Sequence, residues 1–224
     1  MSAAARSIAV AGAGVAGLTA ALAFAKAGFS VRVFERAGTL EEVGAGIQLS
    51  PNATRILDRL GVLEALAPIA VRPEEIAIRR ADTLRRLASV PLGEAARRRW
   101  GAPYLTIHRA DLQAALLAAA ANSAGIALST GVSVGDAAPD GDGVVVSLDR
   151  GGRGETVRCG LVVGADGVWS TLRRRVAPLS PGRYTGHLAW RALVRPDGDL
   201  LPADKVTAWL HPGFHLVAYP VRAG

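Results

Sequence analysis

The stretch Ser7-Ile8-Ala9-Val10-Ala11-Gly12-Ala13-Gly14-Val15-Ala16-Gly17-Leu18 constrains this chain more than any other. An apolar run that meets a glycine-rich turn and continues as an alanine-rich pattern predicts strand, phosphate-binding turn and helix. Gly12 permits the tight turn, Gly14 lets the backbone approach a pyrophosphate, and Gly17 lets the helix, expected over Leu18 to Ala27, pack close to the strand. The N–H groups of the helix start then face the phosphates. Beyond Gly28, the run Ser30-Val31-Arg32-Val33-Phe34 predicts a second strand ending on Glu35. An acidic side chain there, about 20 residues past the glycines, is placed to accept hydrogen bonds from a ribose 2′-hydroxyl. Glu35 in place of a basic residue favours FAD or NAD over NADP at this site.

The same residues imitate two other things. Ile8 to Ala25 is almost wholly apolar, as in a membrane span, and Arg6 before it suggests a secretory signal. Three glycines at turn spacing and a following strand with a terminal Glu fit a buried parallel strand and helix better, so neither a membrane segment nor a leader is expected. With 224 residues, half of them hydrophobic, the chain can bury a real core in one large domain or two small ones. The net charge of +7 is almost all arginine, clustered at Arg79-Arg80, Arg85-Arg86, Arg97 to Arg99 and Arg173 to Arg175. No aromatic-interleaved basic motif or zinc spacing accompanies the clusters, so the expectation is a solvated basic surface that attracts anionic cofactors and substrates, not nucleic acid. The single cysteine, Cys159, excludes an intramolecular disulfide and suits a reducing cytoplasm. No metal site is expected.

Gly44-Ala45-Gly46-Ile47-Gln48-Leu49-Ser50-Pro51-Asn52 reads as a loop entering a helix over Pro51 to Leu60, with Ser50 as N-cap and Pro51 at the first helical position. Glu74 to Arg80 and Leu84 to Val90 alternate as two strands of a second sheet. Leu105 to Arg109 leads back into a helix over Ala110 to Ser123. Strands are then expected over Ala127 to Val134, Val144 to Leu148 and Glu155 to Arg158, as an antiparallel meander covering the nucleotide sheet. Leu161 to Gly164 reads as a fully buried strand running into Asp166 and Gly167, before a helix over Ser170 to Val176. Strand ends are where ligands sit in an open α/β sheet, which makes Asp166 a site candidate; a turn or N-cap role is its alternative. Strands follow over Gly186 to Val194, Val206 to Leu210 and His215 to Pro220.

Taken in order, GAGVAGL, the Glu35 strand end, GAGIQLSPN, HRADLQAAL, GADGVWSTLR, YTGHLAWRALV and WLHPGFHLVAYPVRAG resemble the FAD-dependent aromatic hydroxylases, the single-component flavoprotein monooxygenases, in their salicylate hydroxylase-like branch. The resemblance implies an α/β fold: a Rossmann-like FAD-binding domain with an antiparallel meander over 1–72 and 101–178, and an incomplete β-sheet substrate domain over 73–100 and 179–224. It also implies that Gly12, Gly14 and Gly17, with Ala16 between, hold the FAD pyrophosphate. Glu35 would hold the adenosine ribose, with Arg36 beside it, and Arg109 would reach a cofactor phosphate. Asp166 and Gly167 match the family's Asp-Gly motif, which serves FAD and the passing nicotinamide cofactor; Gly46, Ile47 and Gln48 match the loop beside the flavin. The family's second FAD motif, Gly-Asp-Ala-Ala-His-Pro, has no counterpart. Gly135-Asp136-Ala137-Ala138-Pro139 copies its opening letters but precedes the Asp-Gly motif and is read as a hairpin turn. The chain is therefore expected to be the C-terminally truncated, N-terminal three-fifths or so of such an enzyme.

By the same resemblance, NADH or NADPH reduces the flavin, oxygen adds at its C4a carbon, and the hydroperoxide hydroxylates a phenolic acid of salicylate or hydroxybenzoate type. A phenol reacts better as phenolate, which calls for a base near neutral pH, and histidine is tuned to that range. His215 precedes Tyr219 by four residues on an expected strand, so both project from one face. They are the catalytic candidates and, with Gln48 and Arg191, the substrate contacts. For Arg191 a structural salt bridge is the alternative. A homodimer would follow family habit. A truncated FAD-binding fragment with no catalysis of its own is the competing reading, and a classical NAD dehydrogenase the disfavoured third.

Overall fold

The computed structural model describes residues 6–40, 45–177, 183–195 and 201–222. Gly44, Ala223, Gly224 and the 178/179 domain boundary expected above lie outside them. In chain order the elements are β1 (Ser7–Ala11), α1 (Val15–Lys26), β2 (Ser30–Glu35), β3 (Gly46–Leu49), α2 (Pro51–Arg59), α3 (Leu63–Leu66), β4 (Glu75–Arg80), β5 (Arg86–Pro91), α4 (Gly93–Trp100), β6 (Leu105–His108) and α5 (Arg109–Ala121). There follow β7 (Ile126–Thr130), β8 (Ser133–Asp140), β9 (Gly143–Arg150), β10 (Arg153–Cys159), β11 (Leu161–Gly164), α6 (Arg173–Val176), β12 (Lys205–His211) and β13 (Phe214–Ala218). The chain divides into two compact units, one of Met1–Glu41 with Gln113–Leu188, the other of Glu42–Leu112 with Ala189–Gly224.

The first unit carries a parallel sheet in the order β11-β1-β2-β7. β1 has a strand on each side, and Ile8, Ala9, Val10 and Ala11 are all buried, which is why it reads as a continuous apolar run. α1 leaves this strand three residues earlier than the sequence suggests, at Val15, with Gly14 in extended conformation as its N-cap. It ends where Gly28 turns with φ +87° and Phe24 packs edge-on against Phe29. A second, antiparallel sheet, β10-β9-β8, covers the first: Val132, Val146, Leu148 and Cys159 form one buried cluster with Ala9 and Phe34. The expected meander is thus present.

Several local expectations are corrected in this unit. The strand expected over Ala127 to Val134 is two strands; Gly131, at φ +68°, breaks it, so β7 extends the parallel sheet and β8 begins the meander. Gly135-Asp136-Ala137-Ala138-Pro139 is not the hairpin turn but the body of β8, with a bulge between Val134 and Asp136. β8 is an edge strand, where the N–H that Pro139 lacks is not needed. The turn comes after it, at Gly141 with φ +58°. There Arg158 donates to the carboxylates of Asp140 and Asp142, each at 2.8 Å. β11 is partly exposed, not fully buried, because it pairs with β1 on one side only; Leu161 is 44% exposed. The helix expected over Ser170 to Val176 is a single turn, α6, since the preceding N–H groups bond the Asp166 side chain.

The second unit holds the pair β3-β6 and the sheet β13-β12-β4-β5, in which β12 runs parallel to β4. Glu75 ties three of its strands, accepting from Ser89 at 2.6 Å and Arg86 at 2.7 Å and pairing with Lys205 at 3.0 Å. α2 starts at Pro51 as expected, but the Ser50 hydroxyl bonds the Asn52 side chain, and the Ser50 carbonyl accepts the Ala53 N–H at 2.8 Å. The arginine run 97–99 forms the last turn of α4, where cations complement the carbonyl end of a helix. The strand expected over Gly186 to Val194 is absent: residues 183–195 form no strand, and Trp190 is 93% exposed. Alternation alone makes no strand without a neighbouring backbone to pair with.

Candidate functional site

In the first unit the glycines do three different jobs. Gly12 has φ +100°, and a Cβ there would lie 2.4 Å from the Ala165 carbonyl oxygen. A Cβ on Gly17 would lie 1.8 Å from the Gly12 oxygen, so the helix can approach the turn only as glycine. At Gly14 a Cβ would meet nothing within 4 Å, and the adjacent Ala16 is exposed in the first turn of α1. The turn is therefore tightly held behind and open in front.

Glu35 ends β2 as expected, and its carboxylate is already engaged: Oε2 accepts the Ala13 N–H at 2.8 Å and Oε1 the Ala37 N–H at 2.9 Å. A carboxylate has about four acceptor positions, so capacity remains for a ribose hydroxyl. Arg36 is exposed just past the strand. Asp166 follows β11. Its Oδ2 accepts from the Thr171 N–H at 2.8 Å and from the Leu172 N–H and the Thr171 hydroxyl at 3.2 Å. Burial works to raise its pKa, but the polar groups around it, the Ser170 hydroxyl first and then the Leu172 and Thr171 N–H groups, outweigh burial and hold the carboxyl below its ordinary value. Its Oδ1 is buried with no partner among the described residues. Gly167 beside it, at φ +79°, is exposed. The N-cap role and the ligand role thus fall to different oxygens of one carboxylate.

In the second unit β3 carries Gly46, Ile47 and Gln48, paired with β6. Tyr104 donates to Gln48 Oε1 at 2.5 Å. Tyr219 is half-buried against the same strand: a Cβ on Gly46 would lie 2.5 Å from its ring. Burial pushes the Tyr219 phenol up, while the Arg191 charge and a hydrogen bond with Gln48 act to lower it. Burial and then the neighbouring Tyr219 push Tyr104 up. Gln48, Tyr104 and Tyr219 are thereby brought together, with the Arg191 charge near enough to act on Tyr219. His215 is exposed on β13 opposite Leu210, and Tyr219 lies one residue past the end of that strand, so the shared face expected for the two does not extend to Tyr219. Arg109 opens α5, its N–H bonded to the Ala45 carbonyl at 3.2 Å.

Two residues outside the expected set belong to these groups. Tyr104 sits just before β6 with no motif to mark it. Gln113 is legible as a polar residue in the buried stripe of α5, three residues before Leu116 and seven before Ala120. It donates to the Ala13 carbonyl at 3.1 Å, and its Oε1 is buried without a partner among the described residues. An open turn, backed by two buried oxygens with unused acceptor capacity, fits a dinucleotide such as FAD.

A parallel strand running through such a turn into a helix, with an acceptor closing the next strand, defines a dinucleotide-binding α/β protein. The chain belongs to the FAD binding domain family, whose model matches residues 6–191. It is 40% identical over 227 residues to 3-amino-4-hydroxybenzoate 2-monooxygenase of Streptomyces cremeus, covering 97% of this chain and 54% of that protein. It is 37% identical over 220 residues to 3-hydroxybenzoate 6-hydroxylase 1 of Aquipseudomonas alcaligenes, covering 97% and 55%. Its fold matches Klebsiella pneumoniae HpxO complexed with FAD and uric acid with a TM-score of 0.84, at 28% identity over 97% of this chain and 54% of that one. The chain spans about half the length of the curated relatives it matches. The apolar window Ile8 to Ala25 is β1, the turn and α1, and no described helix is long and apolar enough to cross a membrane.

Proposed function

We propose that this chain is the FAD-binding part of a single-component monooxygenase that hydroxylates a phenolic aromatic acid of the hydroxybenzoate type, with NADH or NADPH as reductant and molecular oxygen as co-substrate. The observation that carries the reading is the glycine turn, closed by Ala165 behind Gly12 and open at Gly14. Bound FAD supplies the redox chemistry: it takes hydride from the nicotinamide and activates oxygen. The N–H groups around Gly12, Gly14, Ala16 and Gly17 bind the pyrophosphate, Glu35 the adenosine ribose, and Arg36 and Arg109 add positive charge for the phosphates. Asp166 and Gly167 serve FAD in the first unit, and Gly46, Ile47 and Gln48 on β3 are assigned to the flavin by the family resemblance. Arg191 pairs with the substrate carboxylate, Gln48 and Tyr219 orient the phenol, and His215 takes its proton. The names of the two hydroxybenzoate relatives support the substrate class. The single buried Cys159 agrees with a cytoplasmic setting, and a homodimer is part of the proposal.

A second reading, a flavin-binding piece with no chemistry of its own, is favoured by the large apolar side chains left open, Trp169 at 82% and Trp190 at 93% exposed. One experiment separates the two. The purified chain is mixed with FAD, freed of excess by gel filtration and scanned for flavin absorbance. NADH oxidation is then followed with salicylate, 3-hydroxybenzoate or 3-amino-4-hydroxybenzoate, and products are weighed by mass spectrometry. Bound flavin with a product heavier by one oxygen is the expected result. Bound flavin without product supports the second reading, and a colourless chain overturns both.

A further inference from the structure

Gln113 is 6% exposed, and its Nε2 reaches across 100 residues of sequence to the Ala13 carbonyl at 3.1 Å. A carbonyl only accepts, so the end of the amide facing it must be the nitrogen. That orientation leaves Oε1 buried without a partner among the described residues, an uncompensated cost. A leucine would fill the same space without that cost, as Leu112 and Leu116 do on the same helix. The donated hydrogen bond to Ala13 is what the glutamine contributes and a leucine could not.

Its consequence follows from peptide geometry. In a trans peptide the C=O and N–H point in opposite directions, and no described peptide bond is cis. Holding the Ala13 carbonyl therefore turns the Gly14 N–H away from Gln113, at the residue whose surroundings are open. The preceding peptide is fixed from both ends as well. The Ala13 N–H donates to Glu35 Oε2 at 2.8 Å, and the Gly12 oxygen lies where a Gly17 Cβ would be. Two successive peptide planes are thus locked, one by Glu35 and Gly17, the other by Gln113.

We propose that Gln113 is a positioning residue for the cofactor pyrophosphate: by holding the Ala13 carbonyl, it presents the Gly14 N–H to the phosphate oxygens. The inference rests on the FAD reading above and concerns dinucleotide binding, not the chemistry on the substrate.

The test measures dissociation constants of FAD, by flavin fluorescence quenching, and of ADP, by calorimetry, for the full 224-residue chain and three variants. The urea midpoint of each ligand-free chain is recorded alongside. Gln113→Leu fills the space without a donor, Gln113→Met does so with an unbranched side chain of similar length, and Gln113→His puts a ring N–H near the reach of Nε2. The Leu and Met variants are expected to bind both ligands roughly tenfold more weakly, and the His variant to stay within about threefold of the unmodified chain. The Leu variant should keep its urea midpoint. A Leu variant that binds FAD and ADP as the unmodified chain does overturns the proposal. So does equal weakening of all three variants in step with their urea midpoints, which is the signature of core packing alone. An unmodified chain that binds neither ligand overturns the FAD reading itself and this inference with it.

Discussion

Tyr104 donates its phenolic hydrogen to Gln48 Oε1 at 2.5 Å, and the Tyr219 ring lies against the same strand. Both phenols are pushed above their ordinary range, burial being the first cause in each, while the Arg191 charge works the other way on Tyr219. In an absorbance titration at alkaline pH, these two tyrosines should ionise above the usual value of about 10. Arg191→Met should move one of them higher still, because the cation that favours the phenolate is gone. A raised phenol pKa means that the folded chain binds the proton more tightly than the unfolded one. The stability this gives is complete below the unfolded value and is lost as pH rises through the folded one. An unchanged titration in the Arg191 variant would remove Arg191 from this group.

Gly46→Ala tests the packing of Tyr219. The new Cβ would lie 2.5 Å from the Tyr219 ring and 2.4 Å from Val221 Cγ1. Both are side-chain atoms that can move, so the expected cost is at the low end of overpacking, about 1 kcal/mol by urea denaturation. The informative result is spectroscopic: Tyr219, forced outward, should titrate closer to an ordinary phenol.

Glu75 joins β4, β5 and β12. Its carboxyl is held below its ordinary value, first by the Ser89 hydroxyl and then by Lys205. The folded state therefore holds this proton less tightly than the unfolded state. Its contribution is present above the unfolded pKa of about 4.3 and is lost as pH falls through the lower folded value. Glu75→Gln should cost roughly 1–2 kcal/mol at neutral pH, and the difference from the unmodified chain should close in urea titrations as the medium is made acid.

Asp166→Ala removes the acceptor for two N–H groups ahead of α6, and should cost about 1–2 kcal/mol, the scale of a lost helix cap. Asp166→Asn keeps one capping oxygen and should recover much of that in the same urea experiment. FAD affinity separates the roles: a carboxylate that only caps would leave the Asn variant binding FAD as the unmodified chain does.

The start of the first unit was legible because its rules are local. An apolar run, three glycines, an alternating strand and its terminal Glu each report on a few neighbouring residues, and β1, α1 and β2 follow from them. What the sequence concealed depends on partners far along the chain. Pro139 inside β8 looks like a turn until the strand is known to be an edge. The residues from Gly186 to Val194 look like a strand until no neighbour among the described residues is found to pair with them. The tyrosine group was half visible: Gln48 and Tyr219 came from motifs, whereas Tyr104 joins them only because β3 and β6 pair. His215 shows the limit of strand periodicity, since the strand ends before Tyr219 and spacing no longer assigns a face.

The absent side chain at Gly12 joins two strand ends. Ala11 pairs with Gly164 in the sheet, and one residue further the Ala165 carbonyl occupies the place that a Cβ on Gly12 would take. The glycine turn and the segment leading to Asp166 therefore have no slack between them. Two stretches of sequence far apart along the chain are thus packed directly against each other, and a methyl group at Gly12 would have to push them apart.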